Sequence, residues 1–173
     1  MDQAVYQELI EPNKYNYFYE LLQLNDSHPM KNVVELLTFG DYKTYEKYKN
    51  QLELNHELRQ KLIELTLITI SNDYDNSTVS RSTIEQKYGI NQFDDYIIKL
   101  VDNRIIDVKI DESQDCLVFG TALTLRDAYD SSLYQLKLLN EQDIPTRSFN
   151  QAINTINDWY NTKLSPLKNQ LSH

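Results

Sequence analysis

Glycine is nearly missing from this chain: the 173 residues hold three, Gly40, Gly89 and Gly120, far apart and each in the position of punctuation. Phosphate-cradling loops need clustered glycines so that backbone can approach phosphate, so a Walker loop and a dinucleotide fingerprint are both excluded. Prolines number four, and so few breakers of either kind argue for long helices and few linkers. Cys116 is alone, which excludes an internal disulfide and a cysteine zinc cluster; inside an apolar run it reads as packing. His28, His56 and His173 each lack a second histidine two to four residues away, so neither HxH nor HExxH occurs. There is no G-x-S-x-G elbow, and Asp94-Asp95 are adjacent on a predicted helix and point different ways, a solvated face rather than an acid–base pair. No catalytic residue, cofactor or metal is expected. The first five residues lack the basic and apolar regions of a secretion signal, and no apolar run approaches membrane-spanning length. The expected location is therefore cytoplasm and nucleus, with no membrane partner. Basic residues are also in deficit, 17 against 26 acidic, for a net charge of −9 that repels phosphate.

What is present is an ordinary globular composition, 40% hydrophobic and 25% charged, long enough for one good core. Its most informative stretch runs from 82 to 121. Ser82-Thr83-Ile84-Glu85 reads as a capping box, Gly89 as a left-handed helix stop, and Asn91 as the cap of the next helix. Phe93, Ile97, Leu100 and Val101 fall at i, i+4, i+7 and i+8, one face of that helix. Then Ile106, Val108 and Ile110 alternate with Asp107, Lys109 and Asp111 in a period-two strand. Glu112-Ser113-Gln114-Asp115 makes a polar turn, and Cys116 to Phe119 returns as a second strand closed by Gly120. Two strands alone are marginal, so the hairpin should lean on the helices before it. Helix, helix, hairpin is the outline of a winged helix.

Upstream, Tyr15 to Leu24 reads as helix, 25–29 as a loop, and Val33 to Phe39 as a short helix ended by Gly40. Asp41 can cap a helix bearing Tyr42, Tyr45 and Tyr48, a stripe that could stack bases but in so acidic a chain reads as packing. Leu58 to Ser71 mixes a leucine stripe with β-branched residues, and its length decides for a largely buried helix. Downstream, Thr124 is a candidate cap for a helix carrying Leu125, Tyr129, Leu133 and Leu136. The polar stretch Asn140 to Arg147 is the best linker. A last apolar stripe through Phe149, Ile153, Ile156, Tyr160, Leu164, Leu167 and Leu171 must be buried on its own domain or against partner helices. The organisation is mainly α with a small β hairpin: an N-terminal helical segment (1–57), a winged-helix subdomain (58–121) and C-terminal helices (122–173).

Winged helices often read DNA, with the second helix in the major groove. Here that helix offers Gln92, Lys99, Asn103 and Arg104 against Asp94, Asp95 and Asp102, and the wing turn is acidic. No nucleic-acid partner is expected.

Helices, a winged helix and a terminal helix follow the order of a PCI domain, the module that builds the proteasome lid, the initiation-factor scaffold and the COP9 signalosome. Residues Glu11 to Tyr17, Glu35 to Tyr42 and Leu58 to Leu67 resemble stretches of signalosome subunit seven and its shortened fungal counterpart, subunit nine. Leu100-Val101, Ile105-Ile106 and Arg126-Asp127 continue the likeness, which spans roughly 8 to 130. The resemblance implies one PCI-like domain in a non-catalytic scaffold subunit, part of a hetero-oligomer that removes a ubiquitin-like modifier from cullins. Its partners would be other PCI subunits, and the zinc isopeptidase would reside in another subunit of the complex. It further implies edge-to-edge contact through strand 105–111 or 116–120, with Ile106, Val108, Ile110, Leu117 and Phe119. A helix over 146–171 bearing Phe149, Ile153, Ile156, Tyr160 and Leu164 would join a common bundle. A PCI subunit of the lid or initiation scaffold is the alternative, and a nucleic-acid-binding winged helix the more distant one.

Overall fold

The computed structural model describes residues 2–145, 156–157 and 160–164. Among residues 2–145, seven α-helices lead into and through a small sheet. Asp2 accepts the amides of Ala4 and Val5 and so opens α1 (Gln3–Ile10). A short α2 (Phe18–Gln23) precedes α3 (Lys31–Phe39), which stops at Gly40. Asp41 caps α4 (Tyr42–Tyr48) as its sequence position predicts, its Oδ1 accepting the Thr44 amide at 2.7 Å. Tyr45 and Tyr48 are buried, so the tyrosine stripe is packing.

The central element is α5 (His56–Asp73), capped by Asn55. It touches α1, α4 and α7 and is buried on nearly every face, which is why its sequence lacks a clean stripe. Its β-branched residues tolerate helix because Thr66 and Thr69 donate back to the carbonyls of Leu62 and Leu65.

Next come β1 (Thr78–Ser80), α6 (Arg81–Tyr88), α7 (Asp94–Asp102), β2 (Val108–Asp111) and β3 (Cys116–Phe119). The fold is thus mainly helical with a three-stranded antiparallel sheet in the order β1-β3-β2. β1 is an addition to the predicted hairpin; three residues between a polar loop and a helix cap carry too little pattern to declare a strand. It also moves the cap. Ser80 ends the strand opposite Cys116 and accepts the Thr83 amide at 3.1 Å, so the Ser82–Glu85 capping box does not form. Gly89 ends α6 with φ 73°, the left-handed stop expected of it. Asn91 is not the next cap; Phe93 holds that position without a side-chain bond. Phe93, Ile97 and Leu100 are core, while Val101 is 36% exposed, one position past the buried face.

The predicted helix from Thr124 is absent. Residues 121–140 cross the body as an irregular strap in which Tyr129, Tyr134 and Leu139 are buried but Leu125 (68% exposed) and Leu133 (61%) are not. Asp130 folds back on the amide and hydroxyl of Ser132, a local bond that competes with helix. Glu141–Asp143 forms one 3₁₀ turn. Of the predicted terminal helix, 146–155, 158–159 and 165–173 lie outside the described residues; Tyr160–Leu164 adopts a π-type turn.

Candidate partner-binding interface

The winged-helix lobe presents its sheet to the outside, and the register decides which strand can receive a neighbour. Val108 faces Phe119 and Asp111 faces Cys116 across the hairpin, while Thr78 faces Val118 on the other side. β3 is therefore the middle strand, bonded on both sides. Strand 116–120 cannot meet a partner edge to edge, a correction to the sequence reading that follows from the unforeseen β1. Of the two strands named there, only β2 remains.

The Gly120 amide donates to the Asp107 carbonyl at 2.9 Å. Antiparallel alternation then turns Lys109 and Asp111 towards β3 and leaves the amides and carbonyls of Val108 and Ile110 on the outer edge. Among the described residues no strand lies against that edge. Asp111 Oδ1 fixes the wing turn by accepting the amides of Ser113 and Gln114 and the Ser113 hydroxyl.

Side chains tell a different story from backbone. Ile106, Val108, Leu117 and Phe119 are buried in the core and Ile110 is half-buried, so they tie the sheet to the helices beneath. What these positions can offer a neighbour is the β2 backbone rather than an apolar side-chain surface. From the terminal stripe, Ile156 and Tyr160 are exposed. Phe149 and Ile153 lie outside the described residues, as does the side chain of Leu164.

The strap beneath which the lobe meets the N-terminal helices is held by ionic caps that the sequence reading did not assign. Arg126 is buried and donates to the carbonyls of Leu37, Thr38 and Gly40 at 2.5–2.7 Å, and to Thr69 Oγ1 at 3.1 Å. These are the orphan carbonyls at the C-terminus of α3, where a cation also meets the helix dipole. Burial lowers the guanidinium pKa to about 10, still a cation at neutral pH, and its Nε–H finds no acceptor among the described residues. The next residue, Asp127, accepts the amides of Tyr17 (2.7 Å) and Phe18 (3.2 Å) at the start of α2. Burial raises its pKa, against the pull of those two amides. One dipeptide thus caps two helices.

Glu35, fully buried on α3, reaches the other way. It accepts the Tyr134 hydroxyl and the amides of Lys137, Leu138 and Leu139 at 2.7–2.8 Å. Phe39 packs among Phe18, Tyr129 and Tyr134, with ring centroids 5.4–6.0 Å apart. Asp143 closes the strap on α4 through Lys47 and the Tyr48 hydroxyl, which hold its carboxyl below the usual range. The available signal was the pair Arg126-Asp127 itself, which sequence likeness marked but physical pattern did not explain.

Among the described residues no group of three histidine, cysteine or acidic side chains is placed to hold a metal ion, and Cys116 is buried. No described helix is long and apolar enough to cross a membrane.

Residues 38–121, from the end of α3 to the close of the sheet, match the family model of the PCI domain, just under half of the chain. That segment is thus similar to a PCI domain, a module that is generally a non-catalytic scaffold and assembles with other PCI-type subunits. No curated protein matches the chain.

Proposed function

We propose that this protein is a non-catalytic scaffold subunit of the COP9 signalosome, supporting removal of the ubiquitin-like modifier from cullins by assembling with other PCI subunits. The observation that carries the reading is a PCI domain whose edge strand β2 keeps its outward amides and carbonyls open to a neighbouring sheet. The stretches 11–17, 35–42 and 58–67, with Arg126-Asp127, favour the signalosome over other PCI assemblies. The isopeptidase would belong to a companion subunit, and the complex would work in cytoplasm and nucleus. Acidic α7 and the wing turn speak against a nucleic-acid role.

Affinity purification of the tagged chain is expected to recover other signalosome PCI subunits, and its deletion to leave cullins modified. Recovery of lid or initiation-factor subunits instead would establish the alternative scaffold. Recovery of none, with normal cullins on deletion, would end both.

A further inference from the structure

The outer face of α7 carries a feature that neither the core nor the sheet edge uses. Asp94, Asp95, Ile98, Val101 and Asp102 fall at i, i+1, i+4, i+7 and i+8, and all five are exposed. Ile98 is 55% and Val101 36% accessible, beside the face of the same helix that supplies Ile97 and Leu100 to the core. β-branched residues at solvent positions cost a helix about 0.5 kcal/mol each relative to good formers, so helix propensity does not account for them there.

Charge around this apolar pair is lopsided. Four of the lobe's seven cations are engaged in ion pairs: Arg81 with Asp94 and Asp115, Lys87 with Asp73, and Lys61 and Lys99 with Glu64. Among the described residues Asp95 and Asp102 have no basic partner, and the three remaining cations of the lobe, Arg59, Arg104 and Lys109, form no ion pair either. An apolar step between unpaired carboxylates complements a helix bearing leucine-like side chains flanked by lysine or arginine. A second copy of a chain with net charge −9 would be repelled from it.

We infer that the exposed face of α7, centred on Ile98 and Val101 and flanked by Asp95 and Asp102, is a docking site for a basic amphipathic helix of a partner protein. The site is separate from the β2 edge and stands whether or not the chain belongs to the signalosome. It turns the helix that would read DNA in a nucleic-acid-binding winged helix into a reader of protein.

The test uses the full-length chain, isotope-labelled, titrated with a synthetic helical peptide of lysine and leucine at i, i+3, i+4 spacing. A lysine–serine peptide of equal charge serves as comparison. Amide shifts are expected to centre on 94–102, with affinity at least tenfold above the lysine–serine peptide. That affinity should fall at least tenfold in Ile98→Ser/Val101→Ser and decline with salt in the wild type. Because both side chains are exposed, the double variant should melt within a few degrees of wild type. Equal binding of the two peptides, or shifts centred elsewhere, would overturn the inference. So would changes in the amides of 146–173 caused by the double substitution without peptide, since the face would then be covered by the chain's own end.

Discussion

Arg126 shows how much a single side chain can organise. Its guanidinium satisfies three carbonyls that the end of α3 cannot satisfy itself, and it does so inside the protein where water cannot substitute. Arg126→Met keeps the volume and removes every donor, and is expected to cost about 3 kcal/mol, measured as a shift in urea midpoint at unchanged slope. A loss below about 1 kcal/mol would mean that the carbonyls find water. Lys61 offers a titration test at the same scale. Its ammonium lies 4.1 Å from the Tyr15 ring centre, donates to the Glu11 carbonyl, and is lowered by burial from 10.5 to about 8. Between those values the unfolded chain binds more protons than the folded one, so this group makes stability rise with pH. Wild type is therefore expected to gain on Lys61→Met between pH 8 and 10, followed by thermal melting at both. Above that window the buried tyrosines Tyr15 and Tyr88, raised by burial and neighbouring carboxylates, act in the opposite direction.

At the scale of elements, the proposed β2 contact can be tested apart from the fold within two adjacent residues. Lys109 exchanges ladder bonds with Val118, whereas the Ile110 amide points outwards. Proline is tolerated on an edge strand where its missing N–H faces solvent and not where it faces the ladder. Ile110→Pro should retain the fold with a modest loss from its half-buried side chain, and lose edge-to-edge association in co-purification. Lys109→Pro should lower the melting temperature by several degrees more. If the two variants lose partners equally at equal stability, the β2 edge is not the contact.

For the molecule as a whole, the strap ties the segment after the sheet back to α3 and α4. It has almost no regular structure, yet its amides at 137–139 end on a buried carboxylate. Hydrogen exchange at these three amides is expected to be nearly as slow as in α5, and Glu35→Gln to speed it at least tenfold, about 1.4 kcal/mol, because one amide oxygen cannot replace two carboxylate oxygens. Fast exchange in the wild type would show a strap that opens on its own.

Local pattern in the sequence was sufficient for α3, the Asp41 cap, the Gly89 stop, the buried α5 and the wing hairpin, because each is written in neighbours within one or two turns. It sufficed as well to exclude phosphate loops, cysteine clusters and histidine metal cradles. Tertiary structure alone decided three other matters. A three-residue strand is defined by its partner, so β1, and with it the central place of β3, depends on Val118 and Leu117 some 40 positions away. The segment after Gly120 has a helical stripe, but its Arg126 and Asp127 meet the unsatisfied ends of α3 and α2 in an extended, irregular course. The exposure of Ile98 and Val101 follows from which face of α7 the core takes, that of Ile97 and Leu100. Short-range order is encoded by spacing; the disposal of buried charges and open edges is settled by whatever distant group arrives to meet them.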